Sequence, residues 1–263
     1  MRNDLIRRLF VSAALVLCLV GALMGSGLFG QGVEESSGGD LSDNATHLAP
    51  DGPAFSVWSV IYVGLVLYTI WQWFPSQAAH PRHRAIGWLA GLSMVTNGLW
   101  LLVVQQDWVW VSVVVIIAML AVLVLMLERL QAIGPTNRAD SIITDVTFGL
   151  YLGWVTVATC ANIAAAGASS GWDPGQTAAR WIAVAVIIVA AALGVLYAYR
   201  YGARFAVALT IVWGLSWIGV GRLTDEPHDT VVGVVAIIAA VAVLAGTALL
   251  RRTTAPTPIQ QVE

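Results

Sequence analysis

The sequence predicts an all-α polytopic membrane protein of about eight transmembrane helices, and three observations predict it. First, 58% of its 263 residues are hydrophobic and only 11% are charged, at a mean hydropathy of +0.79. An ordinary globular domain carries about 25% charged residues, so this chain lacks the polar surface to cover itself in water and takes a bilayer as its solvent. Second, a helix rising about 1.5 Å per residue needs roughly 20 apolar residues to cross a hydrocarbon core of about 30 Å. Eight such runs occur: 9 to 30, 55 to 74, 85 to 104, 108 to 128, 145 to 167, 179 to 199, 204 to 221 and 230 to 250. Third, the charges segregate when these runs are followed as eight crossings from an N terminus placed inside. The inner side then holds 11 of the 13 arginines, with only Arg180 and Arg222 outside, while ten of the 15 acidic residues are external. Arginine-rich short loops stay on the cytoplasmic side, so both termini are expected in the cytoplasm.

Taken in order, the first run follows Arg2, Arg7 and Arg8, a beginning that a signal peptide shares. It is longer than the usual apolar stretch of such a peptide, and Gly21, Gly25 and Gly27 give it a small-residue face suited to close helix packing. The loop 31 to 54 is acidic, with Glu34, Glu35, Asp40, Asp43 and Asp51. In the second run, Trp58 and Tyr62 stand four residues apart. The inner loop after it carries His80, Arg82, His83 and Arg84 and is expected to touch anionic headgroups. The third run holds Asn97 and Trp100 together with Gly87 and Gly91; the fourth is aliphatic. In the fifth, Trp154, Ala158 and Asn162 recur every four residues, beside Gly149 and Gly153. The stretch 168 to 178, GASSGWDPGQ, is rich in turn formers and marks a boundary. Beyond it the last three runs are dominated by Ala and Val, giving a division into a five-helix unit, 1 to 170, and three further helices with a short tail, 171 to 263.

Several function classes are excluded or disfavoured. The longest loop is shorter than the roughly 50 residues from which independent domains start, so no soluble catalytic or nucleic-acid-binding domain is present. The formal net charge of -2 offers no basic face for nucleic acid. The 13 basic residues are all arginine, and a retinal-type Schiff base needs a lysine amine. The centres of the runs contain no Asp, Glu, Arg or His, with Asp107 and Asp145 at run ends within reach of water and headgroups. Proton relays and ion-coupled transport usually place charges deeper than this. No zinc-ligand spacing occurs, no metal site or obligatory cofactor is expected, and Cys18 and Cys160 read as core packing.

The unusual inventory is 12 tryptophans. Trp71, Trp73, Trp88, Trp108, Trp110, Trp172 and Trp181 lie near run ends, where an interfacial aromatic belt accounts for them. Trp58, Trp100, Trp154, Trp213 and Trp217 are deeper, and an indole N–H buried without a partner costs free energy. Trp58 with Tyr62, Asn97 with Trp100, and Trp154 with Ala158 and Asn162 each occupy one helix face. By depth, all three faces approach the outer surface beneath loop 31 to 54. Two readings follow. Either the faces converge on an aromatic small-molecule pocket, or they pack helix against helix with their amides bonded across the bundle.

The same residues resemble a known family. Phe55-Ser-Val-Trp58-Ser-Val-Ile-Tyr62, Asn97-Gly-Leu-Trp100 and Tyr151-Leu-Gly-Trp154-Val-Thr-Val-Ala158-Thr-Cys-Ala-Asn162 are similar to motifs of the tryptophan-rich sensory protein family, also called the translocator or peripheral benzodiazepine receptor family (TspO/MBR). The resemblance covers about residues 5 to 170. It implies a five-helix bundle, often a homodimer, with a pocket under the first long loop that takes porphyrins and in some members sterols or benzodiazepine-type ligands. By motif position, Trp58, Tyr62, Asn97, Trp100, Trp154, Ala158 and Asn162 become the ligand-binding residues, with a porphyrin or heme as the implied ligand. The chain departs from the family pattern in its loop, where Pro50 and Pro53 remain without the expected Trp. It also departs at Leu150, where a Pro usually stands, and after Asn162, where Ile-Ala-Ala-Ala-Gly replaces the expected Trp and Arg.

Three functions are compatible with these features: binding of a hydrophobic small molecule for sensing or transport, a transporter of a hydrophobic metabolite, and an intramembrane enzyme on an isoprenoid or porphyrin. The last has no acid–base pair to run it. Membrane lipid is the one partner common to all three. The arginine-for-lysine usage and the abundance of Ala and Val point to a bacterial plasma membrane.

Overall fold

A computed structural model describes residues 2–27, 32, 33, 39, 41–202 and 204–254, and among these every extended element is a helix. Eight are long and apolar enough to cross a membrane. They are α1 (Arg2–Gly25), α2 (Val57–Trp71, entered through a 3-10 turn at Gly52–Ser56), α3 (Pro81–Val104) and α4 (Val109–Ala132). α5 (Arg138–Ser169), α6 (Gln176–Arg200), α7 (Phe205–Thr224) and α8 (Thr230–Thr254) follow.

α3, α5 and α7 are the most buried helices and form the spine. α3 packs between α1 and α4, α5 between α4 and α7, and α2 is held by α1 and α5; α6 and α8 pack against each other and against α7. The outward faces carry aliphatic side chains such as Val16, Val60, Val114, Ile188 and Ile238, as lipid requires. Trp108, Trp110, Trp172 and Trp181 are exposed near one end of the bundle, and Trp73 and Trp88 toward the other, the two girdles of a membrane protein. Helices approach closely through small residues, as the glycine spacings predicted. A methyl on Gly153 would meet Thr210 Oγ1 and the Val207 carbonyl, and one on Gly21 would lie 3.3 Å from the Gly98 backbone. Gly27 belongs instead to the turn past the end of α1, with φ +79°.

The helix boundaries differ from the apolar runs at the end that carries both termini. α1 starts at Arg2, α3 at Pro81 and α5 at Arg138, so charged residues lie within helices where loops were expected. Their charges pair with one another, which offsets part of the cost of burying them. Asp4 accepts two bonds from Arg84, at 2.7 and 2.8 Å, and one from Arg7 at 3.2 Å. Arg82 forms an ion pair with Asp140 at 2.9 Å and bonds Asp145 and the Ile133 carbonyl, and Arg204 bonds the same Asp145 oxygen. The geometry of α5 makes this possible. Residues five apart on an α-helix diverge by about 140°, but Ser141–Val146 is a π-turn, whose i to i+5 bonding swings Asp140 and Asp145 back toward one face. Arg82 and His83 are fully buried, which corrects the expectation that these two belong to a loop touching headgroups. Asp145 is likewise buried in this network and does not lie open to water. The expected end of the first run at residue 30 and the tail beyond residue 254 lie outside the described residues, as do Glu34, Glu35 and Asp40.

Candidate functional site

The site begins with the face of α5. Trp154, Ala158, Ala161 and Ala165 lie at i, i+4, i+7 and i+11, one stripe of the helix. A bulky indole followed by three methyl groups leaves open space above the indole. The space is a small, partly open cavity with predominantly apolar walls, the kind of lining small-molecule sites share. Phe55 and Trp58 wall it from the 3-10 turn and α2, Trp100 from α3, Ile116 and Met119 from α4, and Asn162 from α5. Val33, Leu41, Ser42, Thr46, Ala49 and Pro50 complete it at the loop end, and no charged side chain is among the residues lining it.

The aromatic rings meet edge to face, the arrangement their quadrupoles favour. Trp154 lies 5.9 Å from Phe55 and 6.2 Å from Trp58, at interplanar angles of 80° and 85°. Trp58 stacks on Tyr62 at 5.4 Å and presents its other neighbour, Tyr151, an edge contact at 5.8 Å. Trp154 is 1% exposed and its Nε1 has no hydrogen-bond partner among the described residues.

Both readings of the aromatic and amide faces are realised, on different atoms. Trp100 Nε1 donates to Asn162 Oδ1 at 2.8 Å, and Asn162 Nδ2 donates to Ser112 Oγ at 2.9 Å, tying α3, α4 and α5 together beside the cavity. One layer deeper, Asn97 Oδ1 accepts from Tyr62 OH at 3.2 Å and from Cys18 Sγ at 3.3 Å, joining α1, α2 and α3. Tyr151 OH donates to the Ser93 carbonyl at 3.1 Å. Of the seven residues singled out from sequence, Trp58, Trp100, Trp154, Ala158 and Asn162 line the cavity, while Tyr62 and Asn97 do not and brace it from below. Cys18 is a buried free thiol within that brace.

Sequence reasoning placed loop 31 to 54 over the site but missed Ile116, Met119, Ala161, Ala165 and which loop residues line it, Leu41, Ser42, Thr46, Ala49 and Pro50 among them. Only the alanines carry a signal, the continuation of the Trp154 and Ala158 spacing. It also missed the part played by α7. Trp213 Nε1 donates to the Ala54 carbonyl at 2.9 Å, and Asp51 N donates to the Trp217 carbonyl at 3.3 Å, so the 3-10 turn that supplies Phe55 is held from α7. Next to these contacts, burial pushes the His47 imidazolium below its ordinary range, with Arg222 and Arg180 adding to the effect and Asp229 opposing it. Burial works to raise the Asp229 carboxyl, but its bond with Arg180 at 2.7 Å and its bond from Val232 N outweigh that and hold it below the ordinary range.

The fold defines an eight-helix integral membrane protein with a small aromatic-walled cavity at one end of the bundle. The model of the family described as TSPO-like protein matches residues 8–249, and the chain belongs to that family. The match reaches into all eight helices and runs well past residue 170. No curated protein and no solved structure matches the chain.

Proposed function

We propose that this membrane protein binds a flat, hydrophobic small molecule in the cavity above Trp154, for sensing or for delivery within the membrane. The observation that carries the reading is an aromatic-walled cavity lined by Trp154, whose buried Nε1 has no partner among the described residues. A buried donor without an acceptor costs about 1–3 kcal/mol, which a ligand with one acceptor atom and an apolar ring face recovers. Family membership supports the same direction, since the motifs around Trp58, Trp100 and Trp154 resemble those of porphyrin-binding relatives. With no charge lining the cavity, the reading favours a tetrapyrrole with neutralised carboxylates or a neutral sterol-like molecule over a charged ligand. Passage straight through the bundle is disfavoured, because Phe148 and Tyr151 are fully buried beneath the site. The segregation of arginine supports placing both termini in the cytoplasm of a bacterial cell, with the cavity on the far side of the plasma membrane.

Titration of detergent-purified protein with protoporphyrin IX dimethyl ester and with free protoporphyrin IX, followed by tryptophan quenching, tests this. The expected result is saturable binding that favours the ester. Trp154→Phe should weaken it about fivefold, the equivalent of one ordinary hydrogen bond. Equal quenching in both proteins would remove the assigned site.

A further inference from the structure

The covering segment 41 to 51 contributes Leu41, Thr46, Ala49 and Pro50 to the cavity, yet its own bonding is slight. Its internal backbone bonds are isolated turns, Ala45 N to the Ser42 carbonyl and Ala49 N to the Thr46 carbonyl, each at 3.2 Å. Leu48 and Leu41 pack on the core, but among the described residues the hydrogen bonds that reach it from another helix come from α7. Arg222, at the end of α7, is 1% exposed and its guanidinium donates to the Thr46 carbonyl at 2.6 Å and the Asp43 carbonyl at 2.9 Å. A third bond, 3.2 Å to the Glu226 carbonyl, ties the same side chain to the turn before α8. A planar guanidinium with several fixed donors suits this bridging of separate backbone segments. The bonds are charge-assisted and therefore stronger than ordinary ones.

We infer that Arg222 is a latch: by clasping the 43 to 46 backbone it holds the covering segment over the cavity and sets the rate at which a ligand enters and leaves. It is a positioning residue and touches no ligand. The inference rests on the ligand-binding reading above and assigns to α7 a part in that site. Trp213, through Ala54, clasps the adjoining edge.

The test compares wild type, Arg222→Gln, Arg222→Lys and Trp213→Phe as full-length protein in detergent, with size-exclusion and helical circular dichroism to establish folding. Hydrogen exchange reads the Ala45, Leu48, Ala49 and Asp51 amides without any ligand. Stopped-flow transfer of bound protoporphyrin IX dimethyl ester to phosphatidylcholine vesicles reads release. In Arg222→Gln both exchange and release should accelerate roughly tenfold or more, the factor expected for losing one charge-assisted bond. Arg222→Lys, which keeps the charge without the fork, should fall between. Should Arg222→Gln fail to fold, Arg222→Lys and Trp213→Phe carry the same comparison. Unchanged amide exchange would overturn the latch, and faster exchange with unchanged release would overturn its control of the cavity. If wild type takes up no ester, the ligand reading fails by itself, and amide exchange alone then decides whether α7 holds the segment.

Discussion

Asn162 offers the clearest measure of how far the cavity wall depends on hydrogen bonds between helices. Asn162→Leu keeps the volume close to native and removes the acceptor of Trp100 Nε1 and the partner of Ser112 Oγ. Trp100 is 7% exposed, so its indole N–H finds no water instead, while the Ser112 hydroxyl keeps its 2.7 Å bond to the Val109 carbonyl. Hydrogen bonds between membrane helices average about 0.6 kcal/mol with a maximum near 1.7. Two lost interhelical bonds, one of which strands a donor, therefore set a loss between about 1 and 3.5 kcal/mol, with about 2 kcal/mol expected. Reversible unfolding in mixed dodecylmaltoside and SDS micelles, followed by circular dichroism, measures it. The decisive form is a double-mutant cycle with Trp100→Phe, which deletes the other partner of the 2.8 Å bond. If that bond carries the cost, the second substitution is cheaper in the presence of the first by about 1 kcal/mol. Additivity within about 0.3–0.5 kcal/mol would refute the reasoning.

Other consequences follow from the charged end, the helix contacts and the loop. Arg82→Gln removes the cation paired with Asp140, which keeps only its bonds from Thr136 and Thr144, and weakens the hold on Asp145 in a buried network; it is expected to cost about 3–5 kcal/mol. Exposed Arg138→Gln should stay within about 0.5 kcal/mol in the same unfolding assay. Gly153→Ala drives a methyl into Thr210 and the Val207 carbonyl and should cost about 1–3 kcal/mol; an unchanged melting temperature would show that α5 and α7 do not touch there. The pH profile has a defined sign. An unfolded histidine titrates near about 6.5 and folded His47 below that. The unfolded chain thus binds more protons as the solution is acidified. Stability is therefore full above this range and falls as pH drops through 6.5 toward the folded value. The depressed Asp229 carboxyl adds a separate loss only at lower pH, below its unfolded value of about 3.9. Melting temperatures at pH 7 and pH 5 should differ in wild type and converge in His47→Gln, and an undiminished difference in the variant would contradict the assignment.

The eight crossings were legible because lipid imposes one rule on every helix, an uninterrupted apolar length. The rule fails where charges cancel inside the protein. Arg82, Asp140 and Asp145 belong to helices, and no apolar-run criterion admits them. Their partnership depends on a π-turn that leaves no mark in composition. The helix faces were legible from 3.6-residue spacing, including the one through Trp154 and Ala158. What spacing does not convey is which way each face turns relative to its neighbours. Trp58 and Trp154 are brought together across a cavity, whereas Tyr62 and Asn97 satisfy each other beneath it. That loop 31 to 54 covers the site was legible, but its lining was not: Leu41, Thr46, Ala49 and Pro50 have no periodicity, and the backbone beside them is bonded by Arg222, about 175 residues away in sequence. An arginine in an outer turn reads as a solvated charge until the carbonyls it bonds are known.

The account stands on the space above Trp154 being a place where a molecule binds. Photolabelling with a neutral diazirine-bearing sterol, followed by mass-spectrometric mapping of the labelled peptides, examines that space directly. The account predicts label on the peptides carrying Trp58, Trp100 and Ala158, suppressed by excess unlabelled protoporphyrin IX dimethyl ester. Label confined to the lipid-facing surface around Val16, Ile188 and Ile238, undiminished by the competitor, would contradict it.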